Sequence, residues 1–335
     1  MKSEVKIKEV MKVLYIPSGF PGIYYLFDNC IVNELRNEGH VSKSFNHFKG
    51  MESLKSNVLE FAPDLVLTMT GFILPKEMTE WLKGQNYKTA VWMTEDPYYM
   101  DRTIEIINDY DYVFTIDRAA LDCYREEGHP NIFHLPLGTD PNTFIPSKNP
   151  EEQKKDDICL VGYPYPQRIE LIKFLLHNTQ YTIHVVGGKW SDELTHVKQD
   201  HRLKITDWKP PQEVAHYYNS AKIILNTHRP HDLAENNNSM GIINKSINNR
   251  TFDIAACGAF QLITEELDLR SYFSEEEIIS FEGDEDLLEK IDFYINNDKE
   301  RKRISLNARE KVLKYHTFAH RIRELTAIAQ EINNI

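Results

Sequence analysis

Cysteine is scarce in this chain of 335 residues: Cys30, Cys123, Cys159 and Cys257 are the only four, and no two of them form a CxxC pair. That excludes a zinc knuckle and a disulfide framework and leaves four reduced thiols of the core. Long apolar runs are missing too. None approaches the roughly 20 residues that span a bilayer, and the opening MKSEVKIKEVMKVLYIP has neither the apolar core nor the small-residue cleavage site of a signal peptide. A cytoplasmic protein without a transmembrane segment is therefore expected. Positive charge is in deficit, with 39 Lys and Arg against 51 Asp and Glu and a net charge of -12. General binding of nucleic acid or anionic membrane needs a basic surface and is disfavoured. A small anion held by a few local cations remains compatible with it. Neither half contains GxGxxG, which makes a dinucleotide-dependent dehydrogenase the least suitable enzyme class. No repeat of 20 to 50 residues occurs.

What is present is an alternation. MKVLYIP, VSKSFN, DLVLTM, KTAVWMT, YVFTID and NIFHLPL are short β-branched or aromatic runs, separated by amphipathic stretches such as Tyr24 to Glu38 and Leu74 to Lys83. Such alternation predicts βαβ units and a parallel sheet. Pro136, Pro141, Pro146 and Pro150, followed by EEQKKDD, read as a linker, since prolines at that density exclude helix and central strand. The alternation then restarts with DICLVG, YTIHVVG, RLKIT, AKIILN, AFQLIT and EIISF. Three consecutive helical patterns, Leu287 to Asn297, Lys299 to Lys314 and Thr317 to Asn334, end the chain without a strand between them. The length suits two domains of about 150 residues. The fold class expected is α/β, two Rossmann-like doubly wound domains facing a cleft, with C-terminal helices packing on what is already built.

Ligands of such folds bind beyond the carboxyl ends of strands, so the loops there supply the candidates. In PSGFPGIYY, Gly19 and Gly22 make either a tight turn or a backbone opened to substrate; Thr70 and Gly71 follow DLVLTM in the same way. In MTEDPYY, Glu95 and Asp96 are adjacent carboxylates. Asp96 suits a general base raised by its like-charged neighbour, or equally a helix N-cap. LVGYPYPQR places Gly162 after a strand and Arg168 in a first helical turn, a poor position for a cation unless an anion compensates. ILNTHRP brings Asn226, His228 and Arg229 to another strand end, and the long polar loop after it resembles a binding loop. In NNRTFDIAACGAF, Asn248 or Asn249 can cap a helix whose first turn carries Arg250, a fork suited to phosphate oxygens, and Asp253, an acceptor for a ribose diol. An exposed ion pair between Arg250 and Asp253 is the plain alternative. Three patterns carry less. Asp109-Tyr110-Asp111 lies between a helix end and a strand start without supporting ligands. Asp284-Glu285-Asp286 compensates a helix dipole, and His316 with His320 reads as a pair of surface histidines.

From Pro136 onward these pieces resemble, in order and spacing, the GT-B-fold glycosyltransferases, and among them the CgeB-like spore-maturation group. HLPLGTDPNTFIP looks like the interdomain "PxGxD…F.P" segment through Pro136, Gly138, Asp140, Phe144 and Pro146. VGYPYPQR looks like the "vG…R" opening of the donor domain, and NNRTFDIAACGAF like the "N.RtFE..a.G" helix. The resemblance implies an acceptor-side domain over 1–145, a nucleotide-sugar donor domain over 151–314, and C-terminal helices crossing back to the first domain, with a terminal helix over 315–335 packing on it. It implies sugar transfer from a nucleotide-diphosphate donor, a UDP-sugar by family habit, without cofactor or metal. Asp253 occupies the place of a ribose-binding glutamate, one methylene shorter. Arg250, the helix N-terminus and Arg168 would stabilise the leaving diphosphate. The acceptor, whether glycan, small molecule, protein or modified base, is left open, as is inversion or retention. A nucleotide-sugar epimerase of the same fold and a non-catalytic sugar-nucleotide-binding protein are the alternatives.

Overall fold

A computed structural model describes residues 10–148 and 154–333. The first nine residues, Pro150 of the proline linker, the beginning of EEQKKDD and Asn334 of the last helical pattern lie outside the described residues. The chain divides into two compact units. The first takes the chain to Leu137, Ala234–Asn244 and everything from Phe318; the second takes Gly138–Leu233 and Lys245–Thr317.

The first unit runs β1 (Lys12–Ile16), α1 (Tyr24–Asn37), β2 (Val41–Ser44), α2 (Met51–Phe61), β3 (Leu65–Met69), α3 (Lys76–Gly84), β4 (Thr89–Met93), α4 (Met100–Ile106), β5 (Tyr112–Thr115), α5 (Arg118–Glu126) and β6 (Ile132–His134). All six strands are parallel, in the order β2-β1-β3-β4-β5-β6. β3, β4 and β5 are buried at every position, which is why LVLTM, TAVWM and YVFT are near-continuous apolar runs: helices cover both faces of a parallel sheet. The strand order reverses between β1 and β3, so the loops holding Gly19 and Thr70 are neighbours.

The second unit runs β7 (Asp156–Val161), α6 (Pro166–Asn178), β8 (Ile183–Val186), α7 (Trp190–Glu193), β9 (Leu203–Thr206), α8 (Pro211–Ser220), β10 (Ala221–Asn226), α9 (Arg250–Ala256), β11 (Gln261–Thr264), α10 (Leu269–Tyr272), β12 (Ile279–Phe281), α11 (Gly283–Asn296) and α12 (Asp298–Tyr315). Its parallel sheet has the order β12-β11-β10-β7-β8-β9, reversing between β7 and β10. Helix α9 is only two turns long. The fully buried Ala255 and Ala256 let α12 lie close against it, and Gly258, at φ +63°, ends it with a left-handed turn whose N–H donates to the Ala255 carbonyl.

Of the three terminal helical patterns, the first two, α11 and α12, stay in the second unit. Only α13 (Phe318–Asn333) joins the first, where Phe318, Ile322, Leu325 and Ala329 enter one core with Val13, Phe27 and Trp92. The polar loop after β10 is likewise divided. Its Ala234–Asn244 portion is held in the first unit by a short backbone ladder, Asp101 N–H to the Asn237 carbonyl and Asn237 N–H to the Tyr98 carbonyl, both 2.9 Å. The Asp101 carboxylate also accepts from the Ser239 N–H and hydroxyl, and Ile242 packs on the cluster around Met100 and Tyr124.

Candidate functional site

In the second unit the strand-order reversal brings together the carboxyl ends of β7 and β10, and there two arginines converge. Arg168 enters from the first turn of α6, only 2% exposed. Its Nε donates to Thr227 Oγ1 at 2.8 Å, its Nη2 to the Thr227 carbonyl at 2.6 Å and its Nη1 to the Tyr163 carbonyl at 2.9 Å, with the guanidinium over the Tyr165 ring. Arg250, first residue of α9, donates Nη2 to the same Thr227 carbonyl at 2.7 Å. Gly162 makes the convergence possible. A Cβ at that position, where φ is +147°, would lie 2.6 Å from Arg168 Nη1 and 3.6 Å from Arg250 Nη1. Two guanidinium groups thus share one carbonyl oxygen, an arrangement whose mutual repulsion an anion relieves. Their field reaches His228: burial, then the charges of Arg250 and Arg168, push its imidazole down to about 3.

The remaining donor-side candidates form the support behind this pair rather than its surface. His228 accepts the Asn248 N–H on Nε2 at 3.1 Å, and its Nδ1 lies 2.8 Å from Thr264 Oγ1 and 3.0 Å from Glu266 Oε1, so both nitrogens are engaged. Asn226, 1% exposed, donates its amide to Thr251 Oγ1 and Gln261 Oε1 and accepts from Asn248 Nδ2. It joins β10, α9 and β11 instead of offering a hydrogen bond outward. Neither Asn248 nor Asn249 caps α9 through its side chain. Asn249, in the cap position, has helical backbone angles and turns its amide to Asp253. Both Asn248 Oδ1 and Asn249 Oδ1 are buried without a hydrogen-bond partner. The ion-pair reading of this helix also fails. Asp253 is 4% exposed, with Oδ1 accepting from Thr139 Oγ1 at 2.7 Å and Oδ2 from Asn249 Nδ2 at 3.0 Å, while Arg250 reaches Thr227. Burial pushes the Asp253 carboxyl up to about 8. Thr139 is itself held through its N–H on the His316 carbonyl, so it braces α9 through Asp253.

At the carboxyl ends of β1, β3 and β4 in the first unit, Gly19, Gly22, Thr70 and Gly71 all have positive φ, from +61° to +78°. A Cβ on Gly19 would collide with Ile73, and one on Gly71 with the Tyr110 hydroxyl. Thr70 is the one non-glycine among them, and its buried Oγ1 has no partner. Such left-handed, unsatisfied positions accumulate at binding loops. Glu95 is half-buried and accepts the Tyr24 hydroxyl, which also lies 3.2 Å from Thr94 Oγ1.

Asp96 takes neither role expected of it. It caps nothing, because α4 begins at Met100 after Tyr99. Nor does it face an acceptor: it is 2% exposed, accepting Thr115 Oγ1 at 2.6 Å and the Tyr124 hydroxyl at 2.9 Å. Its carboxyl is pushed up to about 7 mainly by burial, with the like charge coming from Asp117 rather than from Glu95. His316 is also misjudged as a surface residue. Its ring is buried among Phe252, Tyr272 and Phe273. Asp111 receives the Thr89 N–H and hydroxyl and ties β5 to β4. Among the described residues, no three His, Cys, Asp or Glu side chains cluster in a way that could hold a metal ion. No helix of the described residues is long and apolar enough to cross a membrane.

Thr227, Tyr165 and Thr139 are the site residues that the sequence reading passes over. Each lies inside a quoted motif, and only the hydroxyl or ring beside an arginine or aspartate of that motif could have marked it.

Known proteins identify the family and the fold. Residues 168–327 match the family model described as "Glycosyl transferase-like". The spore protein CgeB of Bacillus subtilis (strain 168) is 38% identical over 320 residues, covering 95% of this chain and 98% of that protein. Among solved structures, the sucrose-phosphate synthase (tll1590) of Thermosynechococcus elongatus superposes with a TM-score of 0.70 at 12% identity, covering 97% of this chain and 99% of the other. Anabaena Alr3699/HepE, solved in complex with UDP and glucose, gives 0.67 at 12% identity, covering 97% and 100%. The chain belongs to the CgeB-like family of glycosyltransferases and has the GT-B fold.

Proposed function

We propose that this glycosyltransferase moves a sugar from a UDP-sugar to a hydroxyl-bearing acceptor in the cytoplasm, with donor binding in the second unit and acceptor binding in the first. The observation that carries the reading is the pair Arg168 and Arg250 on the Thr227 carbonyl beside Gly162. Negative charge grows on the diphosphate as its oxygen leaves the anomeric carbon. Prepositioned guanidinium groups stabilise that charge in the transition state more than in the ground state. Arg250 is the direct clamp; Arg168, with its donors on Thr227 and Tyr163, holds the clamp's carbonyl and adds field. The positive charge of two guanidiniums makes a metal ion dispensable in this reading. Helix α9 is too short for its dipole to carry the effect.

The ribose is assigned to Asp253. A ribose diol replaces the Asn249 amide there, whose own oxygen has no partner to lose. The acceptor hydroxyl of an inverting reaction gives its proton to Glu95, the less buried of the two adjacent carboxylates. UDP in the complex of the HepE neighbour supports the choice of nucleotide.

The test is product analysis after incubation with UDP-, GDP-, ADP- and TDP-sugars, with and without hydroxyl acceptors. Release of UDP with transfer of the sugar to acceptor or water is expected. A new nucleotide sugar formed without acceptor would make the protein an epimerase. Thermal stabilisation by a donor with no conversion under any condition would make it a binding protein.

A further inference from the structure

The second unit has another cationic concavity, at the opposite ends of its strands. A cavity of about 670 Å³ lies where β7, β10 and β11 begin, walled by the end of α9 at Cys257 and Gly258 and by one face of α12. Its volume is in the range of small-molecule sites. Among the described residues, seven lysine and arginine side chains line it against one carboxylate, Asp298, in a chain whose net charge is -12. On α12, Asp298, Arg301, Lys302 and Arg309 share the face that the helical repeat directs into the cavity.

Most of these cations are already tied to protein oxygens. Arg301 donates to the Ile295 carbonyl at 2.8 Å and to Asp298 Oδ1 at 2.9 Å, and Lys222 donates to Asp157 at 2.7 Å. Lys154 donates to the Asn219 carbonyl at 2.6 Å. Burial, then the neighbouring Arg301 charge, lowers the Lys154 ammonium, so positive charge is crowded here. Arg309 differs. Its Nε holds the Ala256 carbonyl at 3.1 Å, and among the described residues its Nη1 and Nη2 donate to no protein acceptor. Two guanidinium donors lining a walled cavity with excess positive charge match a phosphate group.

We infer that this cavity is a second anion site, separate from the donor site, for a phosphate- or diphosphate-bearing small molecule clasped by Arg309 with Lys154 and Lys302. The inference does not rest on the donor reading. It concerns the amino ends of the strands, whereas Arg168 and Arg250 stand at the carboxyl ends.

Calorimetric titration of the full chain with inorganic pyrophosphate at fixed ionic strength tests it. Two sites are expected in the wild type. Arg309→Gln removes one of them, and Arg250→Gln removes the other. Lys302→Gln, on a side chain that is 69% exposed, is expected to weaken the Arg309 site without changing the melting temperature. A single wild-type site that disappears in Arg250→Gln would overturn the inference, as would two sites of unchanged affinity in a folded Arg309→Gln protein. Two sites surviving in Arg250→Gln would instead sink the donor assignment and leave this one standing.

Discussion

Thr227 shows how much of the site one residue can organise. Its carbonyl receives both arginines and its hydroxyl a third donor, so a single strand-end position sets the spacing of the two charges. At the same scale, two carboxyls have titrations that the unfolded chain does not share. Burial raises Asp96 from 3.8 to about 7 and Asp253 from 3.8 to about 8. The folded chain therefore keeps protons that the unfolded chain releases near pH 4. This contribution to stability is full below pH 4 and is lost as pH rises through about 7 for Asp96 and about 8 for Asp253. Each group changes the unfolding free energy by at most about 1.4 kcal/mol per pH unit in that window. Denaturant titrations between pH 5 and pH 8 should show stability falling with pH, and Asp96→Asn should flatten the slope. An Asp96→Asn slope equal to wild type would show that Asp96 is not a proton reservoir. In the donor assignment, Asp253→Asn should raise the KM for donor about tenfold through loss of a carboxyl–ribose hydrogen bond, with kcat less affected.

At the scale of elements, α13 is part of the first unit's core. Phe318 touches the Phe27 and Trp92 rings, at centroid distances of 5.8 and 6.5 Å. Phe318→Ala should cost about 3–5 kcal/mol, read as a lower denaturation midpoint. The strap Ala234–Asn244 is held by Asp101. Asp101→Ala should open it to protease within Asn236–Ser239 while leaving global stability nearly unchanged, because the strap buries little beyond Ile242. All twelve strands were legible in the sequence, since buried parallel strands are compact β-branched runs between turn residues. The side chosen by α13 was expected from the family resemblance and is the one observed, whereas its amphipathic stripe alone says that a helix packs, not on which core. Asp96 was misread for the same kind of reason. Thr115 and Tyr124, which hold it, are 19 and 28 residues away. His316 stands in a polar stretch, YHTFAH, while the rings that bury it come from Phe252, Tyr272 and Phe273. Arg168, Arg250 and Gly162 were legible because a cation and a glycine at strand ends are local signals; their common partner was not, because it is a backbone carbonyl.

For the whole molecule, the contrast is between a net charge of -12 and a locally cationic site. In the donor assignment, that combination suits a small anion better than an extended polyanion. With guanidinium groups supplying the charge, turnover should be unchanged by a chelator. Loss of activity in EDTA, restored by a divalent cation, would contradict that part of the mechanism. The measurement that bears most directly on the central claim is calorimetric binding of UDP to wild type and to Arg250→Gln, with melting temperatures recorded in parallel. The account predicts that the variant folds with an unchanged melting temperature and binds UDP about a hundredfold more weakly, as removal of one charge-assisted clamp requires. Equal affinity in the two proteins would contradict it.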